Sequence, residues 1–353
     1  MLDLIDEVNG SDGQALAEAL GLSEIVPEAH AAYRPLVVDA MSFFLERLSP
    51  SRLTAIVAEQ LNLPEDTRPT RRMALLFRRC PTLHKLGQML ARDRRLAPDL
   101  RENLQGLESL EPTTPLDEIA ALIQKEWGRV EGLQVESTAL AEASVAVVVP
   151  FSWREAGARE PRQGVFKVLR PGVEEQLHEE LEIWSALGVF LEERCAELGL
   201  PVLDYRNTLD SIRKLLAREV QLDHEQVHLA RAAAFFADTP AVLIPKLLPF
   251  CTPRMTAMER VDGVKVTDSD LPLGQRQQLA KNLIAALVAK PFWHPAPSAA
   301  VFHADPHAGN LLVTRDGRLA ILDWALVTIL NKAQCVAAVS NCASRLCPCC
   351  FAS

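Results

Sequence analysis

Through the first third of the chain, apolar positions recur at three- and four-residue steps, in "GQALAEAL", "PLVVDAMSFFLERL", "SRLTAIVAEQL" and "RRMALLFRRC". That period predicts amphipathic helices, and Pro27, Pro64, Pro69 and Pro81 punctuate them. From about Leu133 the pattern shortens. "ASVAVVVPF", "GVFKVLR", "AVLIPKLL" and "RMTAMERV" are short, rich in Val, Ile and Leu, and bounded by Gly or Pro, which predicts strands. Two long helical stretches, Val173–Leu198 and Asn207–Phe236, lie between the strands, and a third helix, Leu273–Ala289, follows them. The expected fold class is α+β and mostly helical: a helical cap, a small sheet with helices inserted, then a helix and a hairpin.

The hairpin carries the chemistry. In "HADPHAGNLLVTRDGRLAILDWA", "LLVT" and "LAIL" are short apolar strands joined by the turn "RDGR", whose Asp-Gly suits a positive-φ turn. Asp305 and Asn310 then lie on the loop entering the first strand, and Asp323 at the exit of the second. Antiparallel pairing brings Asn310 and Asp323 to one end. An amide oxygen and a carboxylate converging there form a hard, oxygen-only pair suited to Mg²⁺, while Asp305 is left to face a substrate hydroxyl as base. Base plus metal ligands is the set that phosphoryl transfer requires. Asp316 reads as a turn former.

Phosphoryl transfer also needs a cation on the phosphates. Lys167 stands in mid-strand in "GVFKVLRPG", and a Lys among apolar neighbours is costly to bury unless paired. Glu225, in the helical stretch from Asn207, is the partner expected for it.

Composition narrows the partners. The net charge of −9 over 353 residues argues against nucleic acid, which needs a basic face; a nucleotide site needs only a few local cations. Hydrophobic residues at 48% and charged ones at 24% are in the globular range. The acidic N-terminus, "MLDLIDEVNGSDG", lacks the features of a secretory signal or Arg-rich transit peptide. No run is long and apolar enough to span a bilayer. The expected location is cytoplasmic, peripheral to a membrane at most. Five cysteines, Cys335, Cys342, Cys347, Cys349 and Cys350, crowd the last stretch, but "CPCC" has neither an accompanying His nor paired C-x-x-C spacing, so no zinc site is expected.

Taken in order, the motifs resemble those of the ABC1/UbiB/ADCK family of atypical protein-kinase-like proteins, over roughly Ala74 to Ile329. "KLGQ" resembles the family's K-x-G-Q helix, "AEAS" its Ala-rich nucleotide loop, "FKVLRPGV" its lysine strand, "MERVDGVKVTD" its hinge, and "HADPHAGN" with "LAILDWA" its catalytic and metal loops. The resemblance implies an atypical kinase-like fold with a small N-lobe sheet and a helical K-x-G-Q extension. It implies Asp305 as catalytic base, Asn310 and Asp323 as metal ligands, and Lys167 with Glu225 on the phosphates of ATP or ADP. Ala141, Glu142, Ala143 and Ser144 would lie over those phosphates, and the backbone of Glu259 and Val261 would meet adenine. Lys85, Gly87 and Gln88 would belong to the extension that folds across the site, with Lys85 meeting the family's E-x-D motif.

Three departures stand out. At the E-x-D position is Glu219-Val220-Gln221, so Glu219 remains and the Asp is Gln. The usual Asp-Phe-Gly is Asp323-Trp324-Ala325, which keeps the ligand and offers Trp for Phe. The chain ends thirty residues after Asp323, so a shortened C-lobe is expected. The implied segments are 1–73 (helical), 74–132 (K-x-G-Q extension), 133–261 (N-lobe), 262–330 (partial C-lobe) and 331–353 (Cys-rich tail). The implied function is Mg²⁺-dependent ATPase or small-molecule phosphotransfer supporting isoprenoid-quinone (ubiquinone-type) lipid metabolism. The implied partners are a nucleotide and an isoprenoid-quinone precursor or its biosynthetic complex. The alternatives are a catalytically weak nucleotide-binding regulator, or an aminoglycoside- or choline-kinase-like phosphotransferase, which leaves "KLGQ" and the Ala-rich loop unexplained.

Overall fold

The computed structural model describes residues 17, 20–22, 26–108, 114–128, 131–154, 157, 159–201, 203–294, 300–331, 333–334 and 336–337. The five clustered cysteines and the acidic N-terminal stretch lie outside the described residues.

In chain order the helices are α1 (Arg34–Leu45), α2 (Pro50–Leu61), α3 (Pro69–Arg79), α4 (Pro81–Leu90), α5 (Pro98–Gln105), α6 (Leu116–Trp127), α7 (Val173–Glu197), α8 (Tyr205–Leu216), α9 (Leu222–Phe235) and α10 (Leu273–Ile284). The strands are β1 (Leu133–Val135), β2 (Ala141–Glu142), β3 (Ala146–Trp153), β4 (Arg162–Leu169), β5 (Val242–Leu243), β6 (Met255–Glu259), β7 (Gly263–Lys265), β8 (Phe302–His303), β9 (Leu311–Thr314), β10 (Leu319–Ile321) and β11 (Val327–Thr328). Each of α1 to α5 has proline at its first or second position, where the missing N–H costs nothing and the fixed φ already suits the helix. Pro69 and Pro81, which break the apolar period, therefore start the next helix, whereas Pro27 precedes a 3₁₀ turn and Pro64 lies between α2 and α3.

The chain divides into two compact units. The first holds residues 1–122, 139–148 and 168–220. Its core gathers Phe44, Leu45, Leu76, Phe77, Leu83, Leu104, Trp184 and Leu191 from α1, α3, α4, α5 and α7. Burying each such side chain contributes about 1.5–3 kcal/mol. A polar network fastens the start of α4 to α7: the fully buried Glu180 accepts the Thr82 N–H (2.8 Å) and hydroxyl (2.6 Å) and an Arg52 guanidinium hydrogen. Gly87 is needed by packing, because a Cβ there would lie 2.7 Å from Leu107 and 2.8 Å from Phe77.

The helix predicted over Asn207–Phe236 is two helices. The amides of Arg218 and Glu219 bond three residues back, to Leu215 (3.2 Å) and Leu216 (3.0 Å), and tighten the chain into a turn. Leu216 is buried against Leu177 and Leu181 of α7, with Val220 packed alongside. No Gly or Pro marks the turn; tertiary packing sets it.

The second unit holds residues 123–138, 149–167 and 221–353. Its larger sheet has the order β1-β3-β4-β6, and Phe151, Phe166 and Phe250 fill one face, the first two stacked at 3.9 Å. A second sheet runs β5-β10-β9-β7, and β8 pairs with β11. After α10 the helical run continues through a π turn at Ala285–Ala289 to Phe292, past the predicted end at Ala289. Pro291 has no N–H to donate, and it falls in the closing turn. No helix among the described residues is long and apolar enough to cross a membrane.

Candidate active site

Local chemistry builds the hairpin. Thr314 donates its N–H to Arg318 (3.0 Å), Gly317 donates to Thr314 (2.9 Å), and Gly317 takes φ 81°. This is a three-residue loop closed by a left-handed glycine. Asp316 accepts from Arg318 Nε at 2.7 Å and from the Thr314 hydroxyl, as a turn former does. Pairing of Leu311 with Ile321 sets the register, and Leu322 then donates its N–H to the Asn310 carbonyl at 3.0 Å. Asn310 and Asp323 thus reach the same end of the hairpin.

Three charges form a chain in this unit. Lys167, on β4, places Nζ 2.8 and 2.7 Å from the two Glu225 oxygens and 3.0 Å from Asp323 Oδ2. Lys167 and Glu225 are 12% and 5% exposed and Asp323 is 32%, so the chain runs from a buried pair to a carboxylate that meets solvent. Burial alone would lower the lysine pKa; Asp323 and Glu225 outweigh it and hold Lys167 above the ordinary lysine range. Burial pushes Glu225 up to about 7, with Lys167 pulling the other way. The predicted Lys167–Glu225 pair is present, and its sharing with Asp323 is an addition that the sequence did not reveal.

Trp324 explains the altered triplet. Its ring is fully buried and donates Nε1–H to the Ile321 carbonyl at 3.1 Å, and it packs 4.8 Å from the His303 ring. The Trp324 amide donates to Glu225, and its carbonyl lies 3.2 Å from His228 Nδ1. An indole anchored at ring and backbone fixes Asp323 beside it. The Ala325 amide donates to Asp323 Oδ1 at 2.9 Å.

His303 is a site residue to which sequence reasoning assigned no role. It lies 3% exposed on β8, accepts the Asp305 N–H at Nδ1 (3.2 Å), and lies 2.6 Å from the Asp323 carbonyl through Nε2. With Nδ1 accepting, Nε2 carries the proton and donates. Burial lowers its pKa, which favours that neutral form. One imidazole therefore ties the backbone of Asp305 to that of Asp323. The H-x-D spacing was the available signal, but a solvated loop His would look the same. His307 holds the Asn310 side-chain amide, 2.8 Å from Nε2. Asp305 is half-buried, and its carbonyl accepts the His307 N–H at 2.9 Å.

Glu259 and Val261 lie at the exit of β6; the Glu259 amide donates to Lys246 (2.9 Å). One carboxylate and one amide oxygen at the hairpin end make a donor set that fits a hard divalent cation. Among the described residues no three His, Cys, Asp or Glu side chains gather as a metal cluster.

The remaining predicted residues belong to the first unit. Lys85 Nζ lies 3.2 Å from Glu219 Oε1, both largely buried, so the Glu that remains in the altered E-x-D meets the K-x-G-Q lysine. Gln88 is half-buried on the same helix. Ala141 and Ala143 are exposed, while Glu142 and Ser144 are buried. The Ala143 amide donates to Ala146 (2.8 Å) to close the loop. Glu142 bonds Arg170 Nη1 (3.2 Å) and the Thr114 amide (2.9 Å), which makes its carboxylate an anchor for the loop.

Comparison with known proteins identifies the family. The chain is 31% identical over 258 residues to an uncharacterized chloroplastic aarF domain-containing protein kinase of Arabidopsis thaliana, covering 70% of this chain and 46% of that protein. It is 32% identical over 251 residues to the probable protein kinase UbiB of Shewanella piezotolerans, covering 67% of this chain and 42% of that protein. The chain spans about half the length of these curated relatives. Among solved structures, the Mycobacterium tuberculosis protein Rv3197, in complex with erythromycin, matches with a TM-score of 0.50 and 20% identity, over 81% of this chain and 69% of that one; this likeness is one of fold. Residues 107–342 match the ABC1 atypical kinase-like domain. With its motifs in the family's order and an ion-paired strand lysine beside an H-x-D loop, the chain belongs to the ABC1 atypical kinase-like family.

Proposed function

We propose that this chain binds ATP or ADP with Mg²⁺ and uses it in ATPase or small-molecule phosphotransfer chemistry. The observation that carries the proposal is the Lys167–Glu225–Asp323 chain, which holds a charged lysine in a buried setting. Lys167 lies against the nucleotide phosphates and is kept in place by Glu225. Asn310 and Asp323 hold the cation, which neutralises charge on the phosphates when bound. Asp305 accepts the proton of the attacking hydroxyl or water, its backbone fixed by His303. The Glu259 and Val261 backbone receives the base. On the family resemblance we extend the role to isoprenoid-quinone lipid metabolism, with a lipid precursor or biosynthetic complex as partner and peripheral membrane contact.

The test is the linkage between metal and nucleotide. In wild type, Mg²⁺ tightens ATP binding measured by calorimetry. Asp323→Asn replaces a charged ligand with a neutral amide and removes that tightening. Equal Mg²⁺ dependence in the two proteins would exclude Asp323 as a ligand.

A further inference from the structure

We propose that the first unit carries a further site, lined without Lys167, Asn310 or Asp323, in which Arg79 and Arg170 bind a phosphate group. A cavity of about 290 Å³ opens in this unit, and all its lining residues belong to that unit. The volume is that of a small-molecule site. Four arginines line it, Arg52, Arg78, Arg79 and Arg170, with two acidic residues, Glu118 and Glu142.

The guanidiniums differ in what they have left to donate. Arg52 is committed to Glu179 and Glu180, and to the Arg79 carbonyl. Arg79 uses Nε on Glu59, and its two terminal nitrogens donate to no side chain or backbone group among the described residues. Arg170 uses Nη1 on Glu142 at 3.2 Å and leaves Nη2 with no partner among the described residues, while its Nε–H, also unpaired, is buried away from the surface. An arginine offers five N–H donors in a planar fork, so each of these two keeps capacity of the kind that pairs with phosphate. The Glu142 carboxylate competes for Arg170 but is also held by the Thr114 amide, and Glu118 opposes any anion that enters. Ile56, Pro115 and Pro171 add an apolar wall, which suits the carbon skeleton of a phosphate monoester better than a bare ion.

The test uses the full chain and inorganic phosphate, without Mg²⁺, at low ionic strength in a calorimeter. One saturable site is expected. Arg79→Glu should weaken it by at least ~10-fold, the scale of a lost charge-assisted bond. Glu118→Gln should tighten it by about threefold, as expected when one partly screened repulsion is removed. The Lys167→Met/Glu225→Leu double variant, which strands no buried carboxylate, should leave it unchanged. Arg79 is 53% exposed, so its reversal leaves the core intact, and thermal melting checks this. Competition by glycerol 3-phosphate would make the ligand soluble. Sedimentation with phosphatidylcholine vesicles containing phosphatidic acid, lost in Arg79→Glu, would make it lipid-borne. The proposal is overturned by no saturable binding in the millimolar range, by binding indifferent to Arg79, or by binding that disappears in a Lys167→Met/Glu225→Leu variant shown by thermal melting to be folded.

Discussion

Replacing Lys167 with Met separates the two tasks assigned to that lysine. In the folded protein its ammonium sits between carboxylates at 2.7 and 3.0 Å, with Glu225 almost fully buried. Methionine has similar bulk, so packing is nearly conserved, but Glu225 loses its counter-charge. Removing one partner of a buried pair typically costs about 3–5 kcal/mol, because the remaining charge must be neutralised in a site that already raises its pKa. Nucleotide affinity should fall as well, by about 1.5–3 kcal/mol for a charge-assisted phosphate contact, or roughly 10- to 150-fold. Adding Glu225→Leu removes the stranded carboxylate. Replacing both members of a buried pair by apolar residues is often near neutral, so the double variant should recover most of the lost stability. It should not recover nucleotide binding. Urea unfolding gives the first quantity and ATP calorimetry with Mg²⁺ the second. Recovery of both in the double variant would mean that Lys167 only supports the fold, and a single-variant loss under about 1 kcal/mol would contradict its buried pairing.

The other expectations are shorter. Asp305→Asn should leave ATP affinity near wild type and lower turnover by at least about a hundredfold, the lower range for a general base; wild-type turnover no higher than the variant's, with normal binding, would favour a nucleotide-binding regulator. His84, 2% exposed, donates Nε2–H to Leu107 at 3.1 Å, and burial lowers its pKa to about 4. Only the unfolded chain gains its proton between about pH 6.5 and 4, so stability should fall as pH drops through that window, by about 3 kcal/mol for one site. His84→Gln keeps a donor and removes the titration, and an unchanged pH dependence of urea unfolding in that variant would refute this. Gly87→Ala brings a methyl to 2.7 Å from Leu107 and should cost about 1–3 kcal/mol, read as a lowered melting temperature; an unchanged value would show that α4 is free to shift.

Some of this was legible because local chemistry decides it. The β9–β10 hairpin follows from two short apolar runs on either side of an Asp-Gly turn, so the placement of Asn310 and Asp323 at one end needed no tertiary information. Lys167 drew notice because a charge inside an apolar strand must find a partner. Other features carry no local mark. The turn that separates α8 from α9 has neither Gly nor Pro; Leu216 packing on Leu177 and Leu181 makes it. The role of His303 depends on β8 pairing with β11, which buries a ring that the sequence could equally have left in water.

The amino-acid sequence by itself determined the helical period of the first third, the strands around Lys167, the hairpin and the order of motifs that marks the family. Each is written in residues close together along the chain, where backbone geometry leaves few alternatives. The tertiary structure decided which charges meet. Asp323 joins Lys167 from 156 positions away, Lys85 on α4 finds Glu219 in the turn between α8 and α9, and the arginine-lined cavity draws on α2, α3, α6, β2 and α7. Burial decides the outcome in each case, because an ion pair contributes little in water and much more once solvent is removed, and burial is a property of the packed chain.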